Sequence, residues 1–282
     1  MKNPHQSPLI LLIILILISI RMESQPLSVM TFNIRYDNPA DGLDRWEFRK
    51  TELAAFIAEK HPQIVGIQEG LLRQVVFLDT ALANYTFIGI GRDDGKTEGE
   101  FSAIFYDTSK VSLIESGTFW LSATPDTIST GWDAALPRIC TYGHFRENVS
   151  GEEFYVFNTH FDHQGKIARL ESSKLILHKM KQLNQNDLPL ILMGDLNDTP
   201  ESLTITTLVN QLQDCWLSDS SNTEKRPTTF NGFNSAAKDG KRIDYIFSKG
   251  FIIRTCSILI ETRKNGRVLS DHFPVYCELE LE

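Results

Sequence analysis

The sequence predicts one α/β domain in which β-sheets and helices pack in two or four layers. The first observation is an alternation of apolar runs and helical patterns near the start, which is typical of strand–helix–strand–helix order. The second is a middle region where strand patterns dominate, separated by turn clusters. The third is that 282 residues show no internal repeat and no linker, so one large domain accounts for the length.

The opening alternation comes from four segments. A helix is predicted over 46–60 because apolar residues between Leu53 and Ile57 recur at helical spacing and Pro62 follows. The short apolar runs on either side are predicted strands. In chain order the four segments are a strand over 28–34, the helix over 46–60, a strand over 64–68 and a helix over 71–83.

Strand patterns dominate the rest of the chain. Residues 148–151 carry a hairpin signal between two strand patterns. Residues 214–233 are polar and are predicted to form a loop. The further predicted strands are 87–91, 102–106, 111–120, 139–146, 154–161, 188–193, 243–247, 252–259 and 274–281, and the further helices are 167–183 and 203–212.

Residues 1–24 are predicted to form a secretory signal peptide or an uncleaved signal anchor. An apolar run extends from Leu9 to Ile20 and is closed by Arg21. The run is shorter than the roughly 20 residues that a bilayer span needs, and it fits the apolar part of a signal peptide. We therefore expect export to the periplasm, the cell exterior or the membrane surface, with residues 25–282 forming the folded domain.

The four cysteines show no C-x-x-C spacing, so the sequence does not predict a zinc site. Export would permit a disulfide, but the default interpretation is buried free thiols. They are Cys140, Cys215, Cys256 and Cys277.

The net charge of −8 bears on the class of partner. A protein that coats a nucleic-acid backbone is usually basic, so the charge argues against a non-specific nucleic-acid-binding module. It argues less against an enzyme, which needs only a local positive site.

Polar and acidic residues recur where the predicted apolar strands end. Ligands of open α/β sheets bind beyond strand ends, so side chains at these positions converge. A lone Asp or Asn after a strand is usually a cap or a turn residue, but six strand boundaries share the pattern. The residues are Asn33, Glu69, His160, Asp162, Asp195, Asn197, Asp244, Asp271 and His272.

These residue types fit metal-assisted hydrolysis of a phosphoester. Oxygen ligands such as Glu69 and Asp271 suit a hard cation such as Mg²⁺, with Mn²⁺ as the alternative. A carboxylate such as Asp195 can hold and deprotonate water. A protonated His272 can donate to a phosphoryl oxygen, and Asp244 beside it would raise the pKa of the ring and fix its tautomer.

Six motifs resemble those of the endonuclease/exonuclease/phosphatase superfamily, which includes deoxyribonuclease I. They follow the order of that family and extend over nearly the whole of residues 25–282. The resemblance implies a four-layer α/β sandwich, with two packed mixed β-sheets flanked by helices. The motifs are TFNIR (31–35), GIQE (66–69), NTHFDH (158–163), GDLN (194–197), RIDYI (242–246) and SDHFPV (270–275).

The resemblance also implies a role for each motif residue. Asn33 and Glu69 would lie at the metal, with Asp271 joining them. Asp195 would activate the water, and Asn197 would bind both the water and the phosphate. His160 would contact the phosphate, and Asp244 with His272 would stabilise the transition state.

Three further residues are candidate substrate contacts. Arg35 stands where some nucleases of the family carry an acidic or amide residue, which puts a second metal ligand there in doubt. Arg138 could clamp a phosphate oxygen with its planar fork, and the alternative is a structural salt bridge. Asp162 is a candidate on the substrate side or behind it.

The expected function is metal-dependent phosphodiester hydrolysis, with nucleic acid or nucleotides as the preferred substrate. One alternative is a sphingomyelin or phospholipid phosphodiesterase, or a sugar- or inositol-phosphate phosphatase. A second alternative is a non-catalytic binding module on the same scaffold, against which the intact set of acids and histidines argues. We expect a monomer without an obligate protein partner.

Overall fold

The structure is a computed structural model that describes residues 26–224, 227–238 and 240–281. The predicted signal segment over 1–24 lies outside the described residues. Within the described part of the chain, no helix is both long enough and apolar enough to cross a bilayer.

Twelve strands and five α-helices make up the described chain. The strands are β1 (Leu27–Asn33), β2 (Ile64–Gln68), β3 (Tyr85–Ile88), β4 (Ile104–Asp107), β5 (Val111–Trp120), β6 (Ile139–Glu147), β7 (Glu153–His160), β8 (Leu190–Asp195), β9 (Gln213–Asp214), β10 (Asp244–Lys249), β11 (Phe251–Ile258) and β12 (Val275–Leu281). The helices are α1 (Trp46–Lys60), α2 (Leu72–Ala81), α3 (Lys166–Leu183), α4 (Leu203–Val209) and α5 (Cys215–Ser218), and a 3-10 turn (Pro39–Asp44) precedes α1.

The strands form two mixed sheets of six strands each. The first sheet has the order β11-β12-β1-β2-β4-β3, and the second has the order β5-β6-β7-β8-β10-β9. Each sheet contains one parallel pair at its centre, β1 with β2 and β7 with β8. The other neighbours run antiparallel.

An apolar layer fills the space between the two sheets. Val29, Ile64 and Ile104 of the first sheet cluster there with Val156 and Ile191 of the second. Alternate residues of a strand point to opposite faces, so the same strands also present apolar side chains outward.

Helices cover both outer faces. On the first sheet, Phe32 packs in one cluster with Leu53 of α1 and Leu78 of α2. On the second sheet, Phe157 packs in one cluster with Ile176 of α3 and residues of α4. The arrangement is helix, sheet, sheet, helix, which confirms the predicted four-layer α/β sandwich.

A buried amide pair joins the two sheets at their centre. Gln68 of β2 donates from Nε2 to Oδ1 of Asn158 on β7 at 2.7 Å. Asn158 in turn donates from Nδ2 to the carbonyl oxygens of Ile67 and Ala103, at 2.9 and 2.8 Å. Both amides are fully buried. The bonds fix the position of one sheet relative to the other next to Glu69, which follows Gln68.

The prediction of free thiols is wrong for two of the four cysteines. Cys256 on β11 and Cys277 on β12 face one another in the register of the antiparallel pair and form a disulfide. Their pairing depends on strand register, which the sequence spacing does not show. Cys140 and Cys215 are buried free thiols, as expected.

The predicted loop over 214–233 contains short regular structure at its start. Asp214 ends β9 and caps α5, since its carboxylate accepts from the backbone N–H groups of Trp216 and Leu217. The same carboxylate accepts two hydrogen bonds from the guanidinium of Arg242. A single buried Asp therefore orders a segment whose composition is that of a loop.

Candidate active site

The predicted site residues gather at one edge of the sandwich because strand directions bring their ends together. In the first sheet, β1 and β2 end at this edge while β12 and β4 begin there. In the second sheet, β7 and β8 end there while β6 and β10 begin there. The first sheet places Asn33, Glu69, Asp271 and His272 at the edge, and the second places Arg138, His160, Asp195, Asn197 and Asp244.

Asp244 and His272 form a buried hydrogen-bonded pair. Oδ2 of Asp244 lies 2.8 Å from Nδ1 of His272, and the two residues are 1% and 5% exposed. Burial alone would lower the pKa of His272, but Asp244 and Asp195 raise it well above its usual value. The imidazole is therefore protonated at neutral pH. Its Nε2 lies 3.7 Å from Oδ2 of Asp195.

Asn33 holds carboxylates from both sheets. Its Nδ2 donates to Oε1 of Glu69 at 3.1 Å and to Oδ2 of Asp195 at 3.0 Å. Its Oδ1 accepts from the backbone N–H of Arg35 at 3.0 Å. The structure thus places Asn33 between the expected metal ligand and the expected base, where its amide orients both.

Glu69 and Asp271 provide the oxygen donors that a divalent cation prefers. Burial raises the pKa of Asp271, and the neighbouring carboxylate of Glu69 raises it further, although His272 and Arg35 act in the opposite direction. Two carboxylates that disfavour each other's charge in a buried position gain from a cation between them. These residues fit a Mg²⁺ or Mn²⁺ ion.

Arg35 lies beside this carboxylate pair. Its guanidinium is held by two hydrogen bonds to Asp41, each 3.1 Å long. Its Nη1 lies 3.9 Å from Oε2 of Glu69, and its Nε lies 3.7 Å from Oδ2 of Asp271. Arg35 therefore adds a fixed positive charge at the position where some nucleases of the family carry an acidic or amide residue.

A second group of possible metal ligands is chemically less suited. Ligand atoms of Asp195, Asp244 and His272 lie within 4.8 Å of one another. However, Nδ1 of His272 is committed to Asp244, and a protonated imidazole has no lone pair to offer an ion. The carboxylates of Glu69 and Asp271 therefore suit a hard cation better than this second group does.

Asp195, Asn197 and His160 form the opposite wall. Burial and the nearby Asp244 raise the pKa of Asp195, which makes it a stronger base than an exposed carboxylate. Nδ2 of Asn197 donates to Nε2 of His160 at 3.0 Å. Burial, together with the charge of Arg138, lowers the pKa of His160 to about 3, so this ring is neutral and carries its proton on Nδ1.

Three site residues have a left-handed backbone conformation. The φ angles of Arg35, Glu69 and Asn197 are 56°, 63° and 49°. Such angles cost non-glycine residues roughly 1–2 kcal/mol, and structures retain them where neighbouring contacts hold the chain. Here the side chain of Glu69 accepts from the backbone N–H of Tyr36 at 3.1 Å. All three residues lie within two positions of the end of a strand, and their side chains line the cavity.

Helix α1 supports the site through the buried Arg49. Its Nη1 donates to the carbonyl oxygens of Ile34 and Leu269, and its Nη2 donates to that of Arg35 at 2.7 Å. One guanidinium therefore ties the segment after β1 to the segment that leads into Asp271.

The site residues line a half-open cavity of about 540 Å³. A larger cavity of about 680 Å³ lies between α3 and α4 and contains none of the predicted site residues. Asn33 and Asp244 lie behind the wall of the smaller cavity. Its lining includes Arg35, Tyr36, Glu69, Glu100, Leu136, Arg138, His160, His163, Asp195, Asn197, Phe230, Lys241, Asp271 and His272.

Arg138 and Asp162 are placed one behind the other. Arg138 lines the cavity, with its Nε 3.5 Å from Oδ2 of Asp162 and its Nη2 3.1 Å from Nδ1 of His163. Asp162 is 1% exposed, and its Oδ1 accepts from the backbone N–H groups that begin the turn before α3. The structure therefore places Asp162 behind Arg138 rather than at the cavity wall.

Glu100 is a cavity residue that the sequence reasoning missed. It accepts two hydrogen bonds from Arg92, at 2.6 and 3.0 Å, and its Oε2 lies 3.6 Å from Nδ1 of His160. Glu100 precedes β4, whose start lies at the same edge as the ends of β1 and β2. The sequence signal that could have identified Glu100 is its position shortly before the apolar strand β4.

Comparison with known proteins places the chain in a family. The family described as Endonuclease/Exonuclease/phosphatase matches residues 30–272, which include every residue of the candidate site. The chain belongs to this family. The superfamily resemblance predicted from the motifs is confirmed, and the members of the superfamily are phosphoester hydrolases.

Bacterial structures of the family are similar over most of their length. A mannosyl-6-phosphatase of Bacteroides thetaiotaomicron is 40% identical, with 90% of this chain and 99% of that chain covered and a TM-score of 0.84. A family member from Bacteroides vulgatus is 36% identical, with coverages of 92% and 100% and a TM-score of 0.84. A protein of Acanthamoeba polyphaga mimivirus is 27% identical over 253 residues, which are 84% of this chain and 92% of the viral one.

Proposed function

We propose that the protein is a divalent-cation-dependent phosphatase that releases phosphate from a sugar phosphate. The observation that carries this proposal is the half-open cavity of about 540 Å³, with the Asp244–His272 pair and the carboxylates of Glu69 and Asp271 at one end of it. A cavity of this size accommodates a small molecule. The 40% identity to a mannosyl-6-phosphatase supports the same substrate class.

Glu69 and Asp271 would hold the Mg²⁺ or Mn²⁺ ion, and Asn33 would orient Glu69 toward it. Bound there, the ion supplies positive charge against the phosphoryl oxygens. Arg35 adds a second positive group on the same side, within 4 Å of both carboxylates. Charge stabilisation and positioning account for most of the rate gain in phosphoryl transfer.

The remaining residues move protons and position water. Asp195, with its raised pKa, accepts a proton from the attacking water, and Asn197 beside it orients that water. The protonated His272 donates from Nε2 to a phosphoryl oxygen as charge develops there. A bond forms between the water oxygen and phosphorus, and the bond to the sugar oxygen breaks. The sugar oxygen takes up a proton from solvent and Asp195 releases its proton to solvent, so the products are phosphate and the free sugar.

The proposal replaces the preference for nucleic acid that came from the sequence. A nucleic-acid enzyme is expected to present an open basic groove with exposed aromatic side chains. Here the cavity is half open and of limited volume, and its two arginines, Arg35 and Arg138, are each paired with a carboxylate. The net charge of −8 also disfavours a long polyanion.

We further propose that the protein acts outside the cytoplasm. The apolar segment over residues 9–20 supports export. The disulfide between Cys256 and Cys277 supports an oxidising compartment, because such bonds rarely persist in the cytosol. Fractionation of the producing cells tests this proposal, and recovery of the protein in the cytosol would contradict it.

The proposed activity is tested by phosphate release from hexose 6-phosphates, compared with hydrolysis of p-nitrophenyl phosphate, bis-p-nitrophenyl phosphate and single-stranded DNA. Mg²⁺, Mn²⁺ and EDTA are compared. We expect hexose 6-phosphate to have the highest kcat/KM and EDTA to abolish turnover. Faster cleavage of the diester or DNA would overturn the proposal. A folded, metal-binding protein without any turnover would favour the binding-module alternative.

Metal binding has an independent readout in the melting temperature. A cation that binds the folded protein raises Tm. We expect Mn²⁺ to raise the Tm of the wild type, and Glu69→Gln to remove most of that increase. Glu98→Gln changes an exposed residue and is the control, for which we expect the wild-type response.

A further inference from the structure

The cavity has a second end, which the proposed chemistry does not use. Glu100, in the segment before β4, and Arg138, directly before β6 of the other sheet, lie there with His163 beside them. We call these three residues the distal end. His160 separates the distal end from Asp195, since its Nδ1 faces Glu100 and its Nε2 lies 3.5 Å from Oδ2 of Asp195.

Two buried donors at this end lack a hydrogen-bond partner. Nη1 of Arg138 and Nδ1 of His160 make no hydrogen bond, although the residues are only 4% and 6% exposed. They lie 3.8 and 3.6 Å from Oε2 of Glu100, which is too far for a hydrogen bond. Buried donors are rarely left unpaired, so a ligand group that bonds to both would be stabilised here.

The charges at this end cancel. Glu100 is paired with Arg92, and Arg138 with Asp162, so two carboxylates balance two guanidinium groups. A second phosphate would meet the carboxylate of Glu100 and would gain little net attraction. A hydroxyl group can accept from Arg138 or His160 and donate to Glu100 at the same time, because it is both donor and acceptor.

We propose that the distal end binds hydroxyl groups of the sugar, with Glu100 as acceptor and Arg138 as donor, and thereby selects a polyhydroxylated leaving group. This inference rests on the proposed function. Hydroxyl groups bonded to a charged residue typically contribute enough to change kcat/KM by roughly 10- to 100-fold. The phosphate then reacts at the other end of the cavity, between Glu69 and His272.

The first test compares Glu100→Gln with the wild type on two substrates. The leaving group of p-nitrophenyl phosphate has no sugar hydroxyls. We expect the ratio of kcat/KM for hexose 6-phosphate to that for p-nitrophenyl phosphate to fall about 10-fold or more in the variant. A ratio within about threefold of the wild type would overturn the proposal. Glu98→Gln, in the same loop but exposed, is the control.

The second test removes the hydroxyl instead of the carboxylate. The 2-, 3- and 4-deoxy forms of the preferred hexose 6-phosphate are assayed with wild type and with Glu100→Gln. With the wild type, we expect kcat/KM for at least one deoxy substrate to be about 10-fold lower than for the parent hexose 6-phosphate. With Glu100→Gln, we expect no further loss for that deoxy substrate relative to its parent, because the variant already lacks the hydrogen bond to the missing hydroxyl. Additive losses for every deoxy substrate would overturn the proposal.

The two tests separate this inference from the proposed function. If no hexose phosphate is preferred over p-nitrophenyl phosphate by the wild type, the proposed function fails and the distal end loses its ligand. If hexose phosphate is preferred but the ratio is insensitive to Glu100→Gln, only the distal-end proposal fails. Arg138→Lys, which keeps the charge and loses the planar fork, serves as a second variant should Glu100→Gln unfold.

Discussion

At the scale of the residue, single hydrogen bonds set the properties of the reacting side chains, and the bond that Nδ1 of His272 donates to Asp244 is the clearest case. We predict that Asp244→Asn lowers kcat for a phosphomonoester by roughly 10²- to 10⁴-fold. The amide has the shape of the carboxylate but not its charge, so the buried imidazole loses the main group that keeps it protonated. Steady-state kinetics at neutral pH measure the effect.

The control for this variant is Asp187→Asn, which removes an exposed carboxylate paired with Lys249. We expect its kcat to match the wild type. Activity of Asp244→Asn within threefold of the wild type would show that the charge of His272 does not contribute to the reaction.

Asp162 gives a prediction about stability and pH. Burial alone would raise its pKa, but hydrogen bonds from the backbone N–H groups of Gly165 and Gln164, with the charge of Arg138, lower it to about 2. A carboxyl whose pKa is lower in the folded than in the unfolded state stabilises the fold above its unfolded pKa of about 3.9. That stabilisation disappears as the pH falls toward 2.

We therefore predict that Asp162→Asn is less stable than the wild type at pH 6, by up to about 2 kcal/mol. The difference should shrink as the pH is lowered from about 5 to 3. Urea unfolding at several pH values measures it. A difference that stays constant over this range would show that the charge of Asp162 is not what stabilises the turn.

At the scale of single residues, most residues of the site were predictable from the sequence because they lie at the ends of predicted strands. The prediction missed Glu100 because none of the six motifs contains that residue and three residues separate it from the start of β4. It placed Asp162 in the same set as His160, although Asp162, two positions further along the chain, lies behind the cavity wall. The direction of each strand within its sheet, and the burial of the residues that follow a strand, depend on tertiary packing.

Among the elements, the pair β11 and β12 carries the disulfide of the described chain. Cys256 and Cys277 are separated by 21 residues, and a cross-link over a loop of this length stabilises by about 3 kcal/mol through the unfolded state. We predict that Cys256→Ser combined with Cys277→Ser lowers Tm by roughly 6–12 °C. Circular dichroism measures the shift.

Cys215→Ser is a useful comparison, since this buried thiol is free. The wild type in a reductant that opens the bond should melt like the double variant, whereas the melting temperature of the double variant should not respond to reductant. If the double variant melts within 2 °C of the wild type, strand pairing alone holds β11 to β12.

The boundaries of a helix or strand are predictable from the sequence where a local apolar pattern marks its buried face. Helix α1 begins and ends at the predicted residues, because its apolar spacing and the following Pro62 are local signals. The segment around Asp214 has the composition of a loop, and its regular structure depends on a hydrogen bond from Arg242, far along the chain. Elements that long-range contacts stabilise are those that a local pattern does not reveal.

At the scale of the whole molecule, activity requires both sheets in register, and Asn158 holds them. We predict that Asn158→Leu lowers stability by roughly 3–5 kcal/mol, because it leaves buried partners on β2 and beside β4 unpaired. Thermal and urea unfolding measure the loss. Asn210→Leu, at an exposed position after α4, is the control and should change stability by less than about 0.5 kcal/mol.

The four-layer architecture was implied by the family motifs rather than by strand patterns alone, which left two or four layers open. The patterns show how many strands exist, but not that β12 inserts beside β1 and completes the first sheet from the far end of the chain. Strand order of this kind follows from long-range pairing.

The pairing of β1 with β12 also determines where the protein can be attached to something else. Leu27 faces Leu279 at the edge of the sheet opposite the cavity, and the seven residues of β1 put about 20 Å between Leu27 and Asn33. A dye, an affinity handle or a bead coupled at position 26, which is exposed beside Leu27, would therefore leave the mouth of the cavity open to solution. Immobilised in this way, the protein should still admit and release small molecules freely.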